Sequence, residues 1–250
     1  MKKFKTRYIS YADGNYSAWQ QHMVDHIKKN KIFDSVATYN RDWLVTTDFY
    51  KDNQKILDMK RGAGYWLWKP YIILENLKQL SDNEILVYMD VGDRPEPGFY
   101  NFLESWFLEK DILLTEGGNN SRRMCKRDAL ILMGCDEEKY WDAPQVEAGF
   151  IALRKTDFNM KFVELWLELC KDERILTDLP NICGKENFPD FIEHRHDQSV
   201  LSLLKTRFNI NTTNDFARSD KPRFVFWNVN EPKNSIKPGI SMLGAARKLN

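Results

Sequence analysis

The sequence lacks several features that would assign a protein to a class at once. Its four cysteines form no C-x-x-C pair, so the spacing typical of zinc sites is missing and free, reduced thiols are expected. No window approaches the roughly 20 apolar residues of a membrane-spanning helix. The basic start MKKFKTRYISYAD is followed by no apolar run, which argues against a secretory signal. These absences predict a soluble, intracellular chain.

Neither sign of charge dominates. The chain has 37 Lys and Arg against 36 Asp and Glu, for a formal net charge of +1. A chain this close to neutral has no overall field to attract nucleic acid or an anionic membrane, so nucleic acid is not a predicted partner. The phosphate-binding patterns G-x-x-x-x-G-K and G-x-G-x-x-G are also absent. The oligomeric state is left open.

Short apolar runs alternate with longer amphipathic segments along the 250 residues. This alternation predicts an α/β fold, with a mostly parallel central sheet flanked by helices in a single domain of residues 1–210. Residues 211–250, which are rich in proline and polar residues, are predicted to wrap the body as an extension with a mobile end. Strands are predicted at 8–11, 36–39, 85–89, 112–115, 149–153 and 208–210, and helices at 17–29, 42–59, 70–80, 158–170 and 196–205.

The segment YMDVGDRPE places two carboxylates directly after a strand that is apolar on both faces. Ligands of open α/β sheets gather outside the carboxyl ends of the strands. Asp90 and Asp93 are therefore candidates for binding Mg²⁺ or Mn²⁺, which prefer oxygen ligands. The alternative is a turn in which Asp90 only accepts hydrogen bonds from backbone amides.

The segment RGAGYWLWKP brackets two glycines and three aromatic residues with Arg61 and Lys69, just before a helix. A guanidinium, an ammonium and the amides of a helix N-terminus are groups that bind a diphosphate. The rings of Tyr65 and Trp68 offer faces on which a base or sugar can stack. A packed aromatic cluster under a glycine turn is the alternative.

Two further segments carry acidic residues at the edges of predicted elements. In HRHDQSVLS, Asp197 and Gln198 open an apolar helix, where an aspartate often serves only as a cap. In QVEAGFIALRK, Glu147 comes just before a buried strand. This carboxylate either bonds sugar hydroxyls or ends a loop.

Taken in order, the segments SYAD, RGAGYWLWKP, YMDVGD, EAGFIALRK and HRHDQS resemble a group of GT-A glycosyltransferases from bacterial and viral polysaccharide loci. The resemblance covers roughly residues 5–210. It implies transfer of a sugar from a nucleotide-sugar donor, a UDP-sugar first, to a glycan or lipid-linked acceptor in polysaccharide or glycoconjugate biosynthesis. It also implies a Mn²⁺ or Mg²⁺ cofactor and a cytoplasmic location, with peripheral attachment to a membrane left open.

The resemblance also implies roles for particular residues. Asp90 would face the metal and diphosphate, although the common D-x-D pattern needs an acid at Gly92 and this chain has Asp93 instead. No histidine follows His196 to serve as a late metal ligand. Asp197 is the first candidate for the catalytic carboxylate and Glu147 the second. The donor-binding candidates are Tyr11, Ala12, Asp13, Arg61, Tyr65, Trp68, Lys69 and Gln198.

Two other functions stay open on the sequence. A carbohydrate- or nucleotide-binding protein without turnover would keep the fold and tolerate the imperfect acidic motif. A metal-dependent phosphohydrolase is weaker, because Asp90 and Asp93 lack the D-x-D spacing of common aspartyl-phosphate enzymes.

Overall fold

A computed structural model describes residues 2–95 and 98–213, together with the backbone of 224–226. Its centre is a five-stranded sheet in the order β2-β1-β3-β6-β5. These strands are β1 (Thr6–Tyr11), β2 (Ser35–Tyr39), β3 (Ile85–Met89), β5 (Ile112–Asn120) and β6 (Pro144–Arg154). A separate ladder pairs β4 (Asp93–Pro95) with β7 (Phe224–Phe226).

The strand directions confirm the predicted α/β fold with a mostly parallel sheet. β1 pairs in parallel with both β2 and β3. β6 is antiparallel to both of its neighbours, β3 and β5. Every strand of this sheet except β6 therefore runs in the same direction, and the carboxyl ends of β1 and β3 meet at one edge.

Helices cover both faces of the sheet, as the apolar pattern of β3 predicts. The helices are α1 (Ser17–Asn30), α2 (Arg41–Leu44), α3 (Asp48–Asp52), α4 (Gln54–Leu57), α5 (Gly62–Tyr65), α6 (Trp68–Gln79), α7 (Phe99–Phe107), α8 (Ser121–Met124), α9 (Arg127–Leu132), α10 (Glu138–Trp141), α11 (Asp157–Cys170), α12 (Glu173–Leu176) and α13 (Asp197–Arg207), with a 3₁₀ turn at Gly14–Tyr16. Along β3, Val87 packs with α1 and α7 on one face, whereas Leu86 and Tyr88 pack with α6, α11 and α13 on the other.

Two predicted elements are wrong. The helix predicted over 42–59 is three short helices, because Asn40 and Thr47 each accept a hydrogen bond from a backbone amide three residues later and so begin a new helix. The strand predicted over 208–210 is the end of α13, where the amide of Phe208 still donates to the carbonyl of Leu204.

After α13 the chain returns to the sheet at Thr213. Thr213 bridges in parallel to Thr115 on β5, and its amide donates to the carbonyl of Leu114. The predicted wrapping of the body by residues 211–250 otherwise falls outside the described residues, apart from the β7 backbone. In the described part of the chain, no helix has the length and apolarity that crossing a bilayer requires.

Candidate active site

The candidate site lies where β1 and β3 end side by side. Ile9 pairs with Tyr88, so Tyr11 at the end of β1 lies beside the residues that follow β3. This is the edge at which open α/β sheets bind ligands. The structure therefore brings the end of the first strand and the acidic segment together.

Asp90 is held on two sides. The Tyr88 hydroxyl donates to Asp90 Oδ1 at 2.5 Å, and the Asp90 amide donates to the Gly149 carbonyl at 2.8 Å. Residues two apart on a strand point to the same face, which places Tyr88 beneath the carboxylate. Burial and the charge of Asp90 raise the pKa of Tyr88 well above its ordinary value, so the phenol stays a hydrogen-bond donor.

Asp90 and Asp93 converge on the same glycine. A Cβ at Gly149 would lie 3.2 Å from Asp90 Oδ2 and 3.6 Å from Asp93 Oδ2. The missing side chain leaves room for both carboxylates over β6. Two carboxylate oxygens facing one small space suit a divalent cation that takes its remaining ligands from a diphosphate and water.

Within residues 2–95 and 98–213, no group of three or more His, Cys, Asp or Glu side chains is arranged to hold a metal ion. A cation at Asp90 and Asp93 would therefore draw further ligands from beyond this set of side chains, and phosphate oxygens of a donor are of the chemistry that Mg²⁺ and Mn²⁺ prefer. The roles predicted for them as metal ligands stay predictions.

Lys69 lies inside the site and is almost fully buried, with 3% of its surface exposed. Its ammonium donates to the Ala148 carbonyl at 3.0 Å and lies 3.2 Å from Asp197 Oδ2 and 3.8 Å from Asp90 Oδ1. The lysine thus joins the end of β3, the strand β6 and the start of α13. It was predicted to contact the donor, and the structure places it between two carboxylates.

Asp197 is the first residue of α13, and its carboxylate points at Lys69. The N-cap of the helix is His196, which makes no side-chain capping bond. The Asp197 carboxylate also accepts a hydrogen bond from the backbone of Gln198, so its role at the start of the helix stands beside its contact with Lys69. Burial raises the pKa of the Asp197 carboxyl to about 6 despite the opposing charge of Lys69. The indole Nε1 of Trp166 donates to the Asp197 carbonyl at 3.0 Å and fixes the backbone from below.

The aromatic candidates form the floor of the site. Tyr11 and Trp68 stack with ring centroids 4.0 Å apart, and Trp68 lies 6.5 Å from the ring of Tyr88. Both stacked residues are buried. They support the edge on which Asp90 lies, and their predicted stacking with a donor base stays a prediction.

Arg61 and Tyr65 make their contacts away from the Lys69 ammonium and its two carboxylates. Arg61 forms ion pairs with Asp178 at 3.0 Å and Glu193 at 3.5 Å, both on the long segment between α12 and α13. Tyr65 packs its ring edge-on against His196, the neighbour of Asp197. The structure thus links this turn to the start of α13 through Tyr65. It shows Arg61 bound to carboxylates, and its predicted contact with phosphate stays a prediction.

The remaining predicted residues lie around the edge. Glu147 is on β6, and a Cβ at Gly117 of β5 would lie 3.1 Å from its Oε1. Ala12 is buried and its amide donates to the Tyr39 carbonyl at 3.0 Å. Asp13 is exposed and accepts the amide of Gly14 at 2.8 Å. Gln198 is half-buried in the first turn of α13.

Sequence reasoning missed three residues that border the site. Tyr88 was signalled by its position two residues before Asp90. Asp178 has no such signal, because it meets Arg61 only through the tertiary fold. His196 was given no role in the site, whereas its ring stacks on Trp66 at 5.6 Å and its Nδ1 donates to the Leu176 carbonyl at 2.8 Å.

No protein-family model and no curated protein sequence matches this chain. Several solved structures are similar to it. A structure of the galactosyltransferase LgtC in complex with donor and acceptor sugar analogues has 11% identity and a TM-score of 0.43, and the match covers 79% of this chain and 70% of that one. Mouse xyloside xylosyltransferase 1 in its apo form has 8% identity and a TM-score of 0.46, with 84% of each chain covered.

A structure that is not named as a glycosyltransferase is similar as well. A 4-diphosphocytidyl-2C-methyl-D-erythritol synthase from Anaerococcus prevotii has 9% identity and a TM-score of 0.35, and the match covers 78% of this chain and 91% of that one. These likenesses concern the path of the chain. The chemistry of the site depends on the residues described above.

Proposed function

We propose that this chain is a glycosyltransferase that moves a sugar from a nucleoside diphosphate sugar to a hydroxyl group of an acceptor. The observation that carries the proposal is the convergence of Asp90, Asp93 and Asp197 at the carboxyl ends of β1 and β3. Glycosyl transfer requires two catalytic functions in one site. The departing diphosphate must be stabilised, and the acceptor hydroxyl must lose its proton. The site offers carboxylates suited to each.

Asp90 and Asp93 would hold the cation that accompanies the donor diphosphate. Their oxygens face the space above Gly149, where a side chain would crowd them. A bound Mn²⁺ or Mg²⁺ supplies positive charge to the leaving group. The partly exposed Asp90 side chain, with 22% of its surface accessible, can be reached from solvent.

Asp197 would act on the acceptor side. In an inverting reaction the acceptor oxygen forms a bond to the anomeric carbon while the bond to the diphosphate oxygen breaks and the diphosphate leaves with the electron pair. The acceptor proton then moves to the Asp197 carboxylate. In a retaining reaction the leaving phosphate takes that proton and Asp197 stabilises the positive charge on the sugar. A carboxyl with a pKa of about 6 is close to the value that suits a base near neutral pH.

The proposed donor is a UDP-sugar and the proposed acceptor a glycan or a lipid-linked sugar of polysaccharide or glycoconjugate biosynthesis. Both follow from the motif resemblance alone, whereas the location of the site at the ligand-binding edge of the sheet supports only that a ligand binds there. Glu147, at the β5–β6 side of the edge, is the second candidate for the proton acceptor.

One observation favours a second candidate function. Asp90 and Asp197 are both engaged by Lys69, and the acid that replaces the D-x-D pattern, Asp93, is buried. A site closed in this way would also suit a protein that binds a nucleotide or carbohydrate without turning it over.

A binding screen followed by a turnover assay tests the proposal. We expect one of the UDP, GDP, CDP or dTDP sugars to raise the melting temperature, and at about 100 times its Kd the stabilisation amounts to about 2.7 kcal/mol. That donor should then be hydrolysed or transferred, with Mn²⁺ or Mg²⁺ present. Binding without any release of nucleotide would favour the second function, and no thermal shift or calorimetric heat with any nucleotide sugar would refute both.

A further inference from the structure

The buried ammonium of Lys69 connects three parts of the candidate site. It bonds the Ala148 carbonyl on β6 and lies 3.2 Å from Asp197 Oδ2 on α13 and 3.8 Å from Asp90 Oδ1 after β3. It also lies 5.2 Å from the ring centroid of Tyr88. These contacts surround the ammonium with protein groups on several sides.

The two carboxylates depend on Lys69 to different degrees. Asp90 is also held by the Tyr88 hydroxyl and by its own backbone bond to Gly149. Asp197 is more deeply buried, with 4% of its side chain exposed, and besides a hydrogen bond from the backbone of Gln198 its charge faces the Lys69 ammonium. A buried carboxylate that loses its cation is left uncompensated, so it moves or takes up a proton. Removing the Lys69 charge should therefore disturb Asp197 more than Asp90.

A role as a phosphate ligand conflicts with this geometry. To reach a diphosphate, the ammonium would have to leave Asp197 Oδ2 at 3.2 Å and the Ala148 carbonyl at 3.0 Å. Breaking a buried pair and leaving one charge alone is costly. A lysine or arginine on the surface could bind the diphosphate without breaking a buried ion pair.

We propose that Lys69 is a positioning residue that holds the Asp197 carboxylate in place for the reaction and does not bind the donor. The kinetic half of this proposal depends on the proposed glycosyltransferase function. The structural half, the coupling between the two side chains, does not depend on it.

The kinetic test compares Lys69→Met with Lys126→Met. Lys126 is an equally buried lysine, also 3% exposed, that bonds the backbone carbonyls of Thr177 and Leu179. We expect Lys69→Met to lower kcat about 100-fold, the loss typical of a displaced reacting group, and to change the donor Kd less than threefold. Lys126→Met should lose stability and keep kcat within a fewfold of the parent.

A loss of donor affinity without a loss of kcat in Lys69→Met would overturn the proposal. A direct phosphate ligand contributes enough that its loss weakens binding about 10- to 100-fold. If Lys69→Met raises the donor Kd by that factor and leaves kcat at the parental value, Lys69 binds the donor.

A stability cycle decides the structural half even if no donor turns over. The urea midpoints of the parent, Lys69→Met, Asp197→Asn and the double variant are compared. If the two side chains are coupled, the double variant is destabilised less than the sum of the single variants, because the second change removes the charge that the first left alone. Midpoint shifts that simply add would contradict the proposal. Absence of turnover in the parent would count against the proposed function only.

Discussion

Single residues in the site are distinguished by what surrounds each carboxylate. Asp90 accepts a hydrogen bond from a phenol whose pKa is raised by burial, and Asp197 faces an ammonium. Burial outweighs Lys69 at Asp197, so the pKa of that carboxyl rises to about 6. Near neutral pH the group is mostly ionised and lies close to the pH at which it can accept a proton. The environment thus suits Asp197 to proton transfer and Asp90 to binding a cation.

Replacing Asp90 by asparagine tests the binding role. Asp90→Asn keeps the size of the side chain and removes the charge, so we expect cation-dependent donor binding to weaken about 10- to 100-fold, the range for a charged contact. Asp93→Asn should have a similar or smaller effect. Calorimetric titration with the donor at saturating Mn²⁺ and in EDTA measures both.

Asp111→Asn is the matched control for these variants. Asp111 pairs with Arg154 at the far end of β6, 2.7 Å from its Nε. Its loss should leave the donor Kd unchanged. Parental affinity and turnover in both Asp90→Asn and Asp93→Asn, with EDTA present, would show that the acidic segment is only a turn.

At the scale of elements, the least ordinary segment is α5 together with Trp66, which forms a left-handed turn before α6. Residues from Gly62 to Trp66 all have positive φ, including Ala63 at 50° and Tyr65 at 52°. Left-handed backbone costs roughly 1–2 kcal/mol for each residue with a Cβ. The turn places the ring of Tyr65 against His196 and leads into the helix that carries Lys69. The strained backbone of this turn therefore lies beside the start of α13.

Gly64 is the position in this turn where a side chain is excluded by backbone. Its φ is 97°, and a Cβ would lie 2.6 Å from the Cα of Leu57. We expect Gly64→Ala to lower the unfolding free energy by about 3 kcal/mol or more, the sum of the left-handed penalty and the clash. Gly134→Ala is the control, because Gly134 has a φ of 63° and nothing within 4 Å. It should lose only about 1–2 kcal/mol in urea unfolding. Equal losses would show that Leu57 does not constrain the turn.

The elements that could be predicted are those specified by local pattern. The β3 strand was predicted because its residues are apolar on both faces, and α11 because its apolar residues follow helical spacing. The left-handed turn could not be predicted, because three of its residues carry side chains and are held there by tertiary contacts. The acids at the strand end could be found from their position after β3. Their junction with Asp197 through Lys69 could not, because it depends on how α6 and α13 pack on the sheet.

At the scale of the whole molecule, two buried histidines couple stability to pH. His194 Nδ1 accepts the Lys126 amide while its Nε2 donates to the Ile175 carbonyl, and His196 Nδ1 donates to the Leu176 carbonyl. Burial lowers the pKa of His194 well below its ordinary value and that of His196 to about 4. Both rings are therefore neutral in the folded protein and take up protons on unfolding.

The sign of the pH effect follows from proton binding. Between the ordinary histidine value of 6.5 and about 4, the unfolded chain binds more protons at these positions than the folded chain. Stability from each histidine is therefore complete above 6.5 and is lost as the pH falls. For His196 the loss amounts to about 3 kcal/mol. Asp197 acts in the opposite direction, because its raised pKa favours the folded state as it is protonated.

Comparison of the parent with His196→Gln separates these contributions. The difference between their unfolding free energies, measured in urea from pH 7.5 to 4, cancels the part due to Asp197. We expect the parent to lose about 3 kcal/mol more than the variant over this range. Parallel curves for the two proteins would mean that His196 titrates normally in the folded state.

The central claim is that the junction of β1, β3 and α13 is an active site in which Asp197 acts on the transition state. The most direct measurement is the kcat and donor Kd of the parent and Asp197→Asn, with the donor found by the binding screen. The account predicts that Asp197→Asn stays folded, keeps the donor Kd and loses about 10²- to 10⁴-fold in kcat. Turnover by Asp197→Asn at the parental rate would contradict it and shift the catalytic role to Glu147.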